Sequence, residues 1–187
     1  EYIHLPAQSG NTRVLEKMNR TYTREWYDMK VDRIRTIIPN CAISTDMISG
    51  FCSETEEEHK DSKDLMEKAK YDMAYMFFYS ERPGTLAQKK FEDDVPLKVK
   101  KRRLTEIINI QSVSSLEQNQ KSIGKIHEVL IEGVSRKNDQ EFKGRTSQNK
   151  VVIFPRKSYK LAEFVNVKIN SCTSATLIGE AIEKVEY

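Results

Sequence analysis

Cys41-Ala42-Ile43-Ser44-Thr45-Asp46-Met47-Ile48-Ser49-Gly50 is the stretch on which the fold turns. Cys41 to Ile48 is apolar enough, and short enough, to be a buried strand, and it runs into a polar loop containing Gly50, with Glu54-Thr55 just beyond. Ser44 and Asp46 fall on one face of such a strand. In a parallel α/β barrel that face fills the interior, where packing alone prefers branched apolar residues. The two polar groups therefore either serve a ligand, or Asp46 is a buried acid capping a neighbouring turn. Gly50 permits a close approach of the backbone to a neighbour, and Glu54 opens the next helix.

The same pattern recurs on either side. His4-Leu5-Pro6-Ala7-Gln8-Ser9-Gly10 comes before it, and Tyr79-Ser80-Glu81-Arg82-Pro83-Gly84-Thr85 comes after. Between the first two, Thr23 caps an expected helix to about Ile38, with Tyr27, Val31, Ile34 and Ile38 as its apolar stripe. Pro39-Asn40 ends it. Thr55-Glu56-Glu57-Glu58 fits a capping box for a helix to about Lys70. Met73 to Tyr79 is apolar on both faces, as a covered parallel strand is. The result is β-α-β-α-β at roughly 30-residue spacing, with right-handed crossovers. All three loops then belong at the carboxyl ends of parallel strands, where α/β folds place their chemistry. Three strands cannot close a barrel, so the expected fold is a half barrel of three βα units.

In the first loop, Gln8 and Ser9 precede a helix expected near Thr12. The turn offers backbone N–H groups and an amide to a polar ligand, or it is ordinary capping by Ser9 or Thr12. Arg20 either meets a carboxylate or phosphate or is solvated. His4 has no second metal ligand nearby, which favours a structural hydrogen bond. The third loop reads as a turn and no more. Pro96 to about Ser115 is an expected long helix with Leu97, Leu104, Ile107 and Ile108 on its apolar side. Its basic run Lys98 to Arg103 is an expected solvated face.

From Ile123 onward the period changes. Lys125–Val134, Lys150–Phe154, Phe164–Ile169 and Thr176–Ile182 read as short strands divided by turns, the size of a small all-β barrel of the OB sort. The expected boundary separates 1–118 from 119–187. Residues 1–118 hold 19 Lys and Arg against 20 Asp and Glu, and residues 119–187 hold 12 against 8. Arg136, Lys137, Arg145, Asn149 and Lys150 would sit on adjoining loops of the barrel, suited to phosphates or else a basic surface that binds nothing.

The chain has 187 residues, 38% hydrophobic and 32% charged. No run approaches the roughly 20 apolar residues of a membrane span. Glu1 does not look like a natural start, because Glu1-Tyr2-Ile3 reads as strand. Cys41, Cys52 and Cys172 are odd in number and widely spaced, the pattern of reduced thiols in a cytosolic protein.

The three loop strings together resemble the methylthiotransferases, which are radical S-adenosylmethionine (SAM) enzymes. Val129-Leu130-Ile131-Glu132-Gly133, Gly144-Arg145-Thr146, Asn149-Lys150-Val151-Val152 and Phe154-Pro155 resemble their TRAM domain, a small RNA-binding barrel. The Gly-Arg-Thr…Asn-Lys-Val-Val form is similar to the tRNA-directed, MiaB-type branch, which methylthiolates an isopentenylated adenosine beside the anticodon. The resemblance implies a SAM and substrate side formed by Gln8, Ser9, Arg20, Asp46, Gly50 and Glu54. It implies an RNA side formed by Arg136, Lys137, Arg145, Asn149 and Lys150. It also implies SAM and two 4Fe-4S clusters in the full-length enzyme, tRNA as partner, and the cytoplasm as location.

Three positions depart from the family. Cys52-Ser53 replaces its usual Pro-Gly, Asn11 its usual Ser, and Ala162 a common turn glycine. The cluster signature CxxxCxxC is absent from the chain, as are the family's three auxiliary-cluster cysteines. The expectation is a C-terminal portion with no cluster ligands of its own, whose catalytic residues the sequence leaves unidentified. Such a portion would be inactive alone and would bind no cluster. It would be partnered by the missing N-terminal part or by a second copy at its exposed half barrel. Two rival readings are a stand-alone RNA-binding module on an α/β platform and the related ribosomal-protein-directed methylthiotransferase.

Overall fold

Capping hydrogen bonds fix where the helices of this computed structural model begin; it describes residues 1–184. The Thr23 side chain accepts from the Trp26 N–H and starts α2 (Arg24–Ile37). Thr55 and Glu58 form the expected reciprocal capping box of α3 (Glu56–Ala69), which ends on Lys70 in the left-handed region. Asn11, rather than Ser9 or Thr12, caps the short α1 (Thr12–Lys17). A further short helix, α4 (Leu86–Lys90), is capped by Thr85.

Contacts gather the chain into two units, Ile3–Gln111 and the segment from Ser112 onward with Glu1–Tyr2. In the first, β1 (Tyr2–His4), β2 (Ala42–Ser49) and β3 (Met73–Phe78) form a sheet in that order. β2 and β3 run parallel with Ser44 opposite Met73 and Ser49 opposite Phe78. Past His4 the first strand stays beside β2 through Leu5 N–H to Ser44 carbonyl (2.8 Å) and Gln8 N–H to Asp46 carbonyl (2.8 Å). Ile43 and Met47 pack with Tyr27, Val31, Leu65 and Met66 of α2 and α3. The opposite face carries Ser44, Asp46 and Ile48 and is open at Tyr75 and Phe77, which are 47% and 55% exposed. Hydroxyl groups thread the buried side: Tyr71 donates to Tyr27 (3.0 Å), and Tyr27 to the Leu5 carbonyl (2.6 Å).

α5 (Leu97–Gln120) is longer than expected, and its buried face is not the apolar one. Ile107 is inside, but Leu97 is 53% and Ile108 39% exposed. Lys100 and Arg103, read from sequence as solvated, are instead buried. The reason lies in what this face meets. Lys100 Nζ donates to the Tyr79 carbonyl (3.2 Å), Arg103 to the Glu54 carbonyl (3.0 Å), and Gln111 to the Tyr71 carbonyl (2.9 Å). Loop carbonyls removed from water need donors, and the helix supplies them.

The second unit holds a closed barrel of five strands, β4 (Ile126–Val134), β5 (Glu141–Thr146), β6 (Val151–Pro155), β7 (Phe164–Cys172) and β8 (Leu177–Lys184), in the order β4-β5-β6-β8-β7. β6 and β8 are parallel. Val129, Ile131, Phe142, Phe154, Val167 and Leu177 share its core. β5 corrects the sequence reading, which placed Arg145 on a loop. Only Phe142 is a large apolar residue there, and Gly144 is inside because an added Cβ would lie 2.5 Å from the Leu130 carbonyl oxygen.

Two of the three departures from the family sit where glycine is at ease. Ser53 has φ 60° and Ala162 φ 65°. Left-handed backbone costs a residue with a Cβ about 1–2 kcal/mol. Ala162→Gly is therefore expected to raise stability by up to about 1 kcal/mol net of chain entropy. Equilibrium urea unfolding checks this; an unchanged or lower midpoint contradicts it.

Candidate functional site

The three loops meet. Gln8, Arg20, Asp46, Ile48, Phe77 and Arg82 line one cavity of about 740 Å³, along with Lys17, Phe51 and Tyr79. Gln8 is held there by a parallel bridge to Met47 and has φ 66°. Asp46 is on the open face of the sheet, where His4 Nε2 lies 3.6 Å from its carboxylate. The other ring nitrogen of His4 is 2.7 Å from Ser44 Oγ, and Tyr75 meets the imidazole edge-on at 6.0 Å. His4 is thus held by a hydrogen bond, as its sequence setting suggested, and it lies beside Asp46.

Three residues grouped with these from sequence are placed elsewhere. Ser9 is 3% exposed, and its hydroxyl accepts from the Asn11 N–H (3.2 Å). Gly50, at φ 70°, does permit a close approach, but the neighbour is the Lys100 stem, whose Cγ would stand 2.5 Å from an added Cβ. Glu54 is buried beneath the loop. Its carboxylate accepts from the Gly50 N–H and from the Phe51 N–H (3.0 Å), and it faces Arg103 at 3.7 Å and His59 at 3.6 Å. These three shape the cavity wall from behind. Nearby, hydrogen bonds from Arg102 and then Arg103 lower the Glu56 carboxyl to about 2.

Burial pushes the Cys52 thiol up, and burial with the adjoining Cys52 pushes the Tyr79 hydroxyl to about 12. A thiol held protonated is a poor nucleophile and a poor ligand. Cys41 is buried at the head of β2 and Cys172 is in β7. Among the described residues no three His, Cys, Asp or Glu side chains come together to hold a metal.

On the barrel, the outward residues of β5 are Glu141, Lys143 and Arg145. Arg145 reaches Glu132 (3.1 Å) and donates to the Asn149 side chain (2.8 Å) and carbonyl (3.1 Å). Asn149 has φ 62° and makes the β5–β6 turn. Lys150 Nζ donates to the Gln118 carbonyl (3.1 Å). Arg136 and Lys137 are exposed in the β4–β5 connection, at the other end of β5. The five residues read as one set from sequence thus form two groups, separated by a strand of roughly 17–20 Å. Lys143, paired with Glu132 at 3.6 Å, lies on the strand that connects them. Its alternation with Phe142 and Gly144 was the available signal.

Residues 120–182 match the TRAM domain. Over 181 residues, 96% of the chain, the sequence is 58% identical to a tRNA-2-methylthio-N(6)-dimethylallyladenosine synthase of Amoebophilus asiaticus. The chain is thus similar to part of this synthase. Synthases of the same description from Karelsulcia muelleri and Bacteroides thetaiotaomicron are 53% and 54% identical over 96% and 97% of the chain. The chain spans 37–40% of the length of these relatives. In fold, 78% of the chain superposes on 40% of coproporphyrinogen III oxidase from Escherichia coli, a radical SAM enzyme, with a TM-score of 0.51 and 18% identity. The three-stranded parallel sheet thus resembles part of a radical SAM barrel, followed by a five-stranded TRAM barrel.

The residues present do not fit an iron–sulfur cluster, which needs a set of thiolates. The cavity, at about 740 Å³, is within the size range of small-molecule pockets. No helix among the described residues is long and apolar enough to cross a membrane.

Removing the Glu54 charge would weaken its buried hydrogen bonds to the Gly50 and Phe51 N–H groups, while Arg103 keeps the Glu56 carboxylate at 3.1 Å. Hydrogen bonds to a charged group are worth about 1.5–3 kcal/mol. Glu54→Gln is expected to lose about that much by urea unfolding, whereas Asp46→Asn, on the open face, loses less than about 1 kcal/mol. Equal losses would mean that Glu54 does not anchor the loop.

Proposed function

We propose that this chain is the distal portion of an enzyme that adds a methylthio group to an isopentenylated adenosine next to the anticodon of tRNA, in the cytoplasm. The observation that carries this reading is the convergence of the three motif-bearing loops on one cavity at the carboxyl ends of parallel strands. Identity above 50% with the tRNA-directed synthases supports it. The chain's share of their length supports a second part of the polypeptide that would bring the remaining strands and both 4Fe-4S clusters. Those strands would cover Tyr75, whose exposure is a liability in a free half barrel.

Gln8 and Asp46 are assigned to the SAM and substrate side, and Arg20 to the rim. When bound, SAM supplies the methyl group and, at a cluster held elsewhere in the polypeptide, the radical that opens the carbon–hydrogen bond. This chain's contribution is to bind and orient. Asp46, beside His4 at 3.6 Å, offers its side-chain oxygens as acceptors to hydroxyl or amino groups of a nucleoside. Gly50 and Glu54 keep the second loop in place. In residues 119–187, Arg136, Lys137, Arg145, Asn149 and Lys150 would contact the tRNA backbone, fixing register without reading sequence. Arg145 has a second task there, because its guanidinium also ties down the Asn149 turn.

Filter binding of unmodified tRNA to the chain across a salt series tests the RNA assignment. Affinity is expected to fall with salt, and Arg136→Ala and Lys137→Ala should each lower the log–log slope by about 1. Arg145→Ala should cost more than either, since it also frees the turn. Salt-indifferent binding, or affinity unchanged in all three variants, would contradict it. The enzymatic assignment is tested with a polypeptide joining this chain to its cysteine-bearing part and reconstituted with iron and sulfide. Failure to methylthiolate isopentenylated tRNA would refute it.

A further inference from the structure

The cavity carries two arginines that the rest of its unit leaves without a counter-charge. Arg13, Arg24, Arg35, Arg102 and Arg103 each pair with a carboxylate, while Arg33, exposed on α2 and outside the cavity lining, has no ion pair among the described residues. Arg20 and Arg82 line the cavity, are exposed, and have no ion-pair partner among the described residues. Arg20 follows α1 and Arg82 follows β3, so two separate loops each deliver a guanidinium to one wall. The third cation of the lining, Lys17, is already occupied by the Ser53 hydroxyl and the face of Phe91. Asp46 is the only acid of the lining among the described residues.

The surface around these cations is apolar and wide. Phe77 is 55% and Leu86 58% exposed, and both face the same cavity as Met18. An exposed aromatic face suits a flat ring, and an unpaired guanidinium suits an oxyanion. A simple carboxylic acid would use one arginine and leave the apolar surface wet. A lipid chain would use the apolar surface and neither arginine. The ligand chemistry that uses both features is a planar base with anionic groups on each side of it.

We propose that Arg20 and Arg82 hold the two phosphodiesters that flank a nucleotide whose base stacks in this cavity against Phe77. The proposal rests on the functional reading above and deepens it. It moves part of the RNA backbone recognition into the α/β unit, and it makes Arg82 a specificity-determining residue that separates a nucleic-acid strand from a polypeptide.

The test uses the full chain with adenosine 3′,5′-bisphosphate and with adenosine, titrated calorimetrically at low salt. The bisphosphate is expected to bind at least about tenfold more tightly than the nucleoside. Arg20→Ala and Arg82→Ala should each remove about tenfold from the bisphosphate and leave adenosine unchanged. Arg33→Ala, at an exposed position of α2 away from the cavity, should change neither. Equal affinity for the two probes, no binding of either, or bisphosphate binding untouched by both cavity variants would overturn the proposal. The tRNA filter assay separates the two failures. Tight, salt-dependent tRNA binding with no bisphosphate preference sinks this inference alone. Bisphosphate preference without tRNA binding sinks the assignment of tRNA contacts to residues 119–187 and leaves this inference standing.

Discussion

A buried carboxylate, Glu54, sets the geometry on which the candidate site depends. It is bonded to two successive backbone N–H groups at the turn after β2 and faces Arg103 of α5. Burying an ionised pair is costly in itself, and only full hydrogen bonding offsets the cost. Here the surroundings satisfy the acid, and Arg103 also donates to the Glu54 carbonyl. One helical turn away, Lys100 does the equivalent for the third loop through the Tyr79 carbonyl and Asp93. Two cations spaced i, i+3 on one helix thus tie down two of the three rim loops. Because Phe51 and Tyr79 line the cavity, its wall is as rigid as these buried bonds.

That arrangement explains what the sequence made legible and what it concealed. Period and capping signals are local, so β2, β3, α2 and α3 are visible within a residue or two of their ends, down to the Thr55 capping box. The strand β5 is concealed because only Phe142 fills its inward row with a large apolar side chain. Gly144 lies in that row because the Leu130 carbonyl and the Val129 side chain crowd it, which is a tertiary fact. The buried face of α5 is concealed for a related reason. It reads as basic and polar because it answers carbonyls from distant loops. No local pattern distinguishes a lysine that seeks water from one that seeks a carbonyl.

The candidate site divides in the same way. Gln8, Arg20 and Asp46 were legible as rim residues and do share the cavity, since strand parity and loop position are enough to place them. Glu54 and Ser9 were grouped with them through the family resemblance, and each turns back into its own loop. Arg82 was legible only as part of a turn. Its interest comes from having no carboxylate beside it, which cannot be read from a string rich in both signs of charge.

Ser53 and Ala162 show how strain and function become linked. Both have left-handed backbone, yet their surroundings differ. Ser53 is held by its N–H to Asp94 (2.6 Å), by its carbonyl accepting from Arg13 (2.8 Å), and by Lys17 on its hydroxyl. Ala162 has one backbone bond, from its N–H to the Ile131 carbonyl (2.9 Å). A glycine at 162 would relieve strain and lose nothing. A glycine at 53 would also remove the hydroxyl that holds Lys17. The serine therefore does more than tolerate its backbone: it fixes the position of the Lys17 ammonium, which lies over the Phe91 ring and lines the cavity.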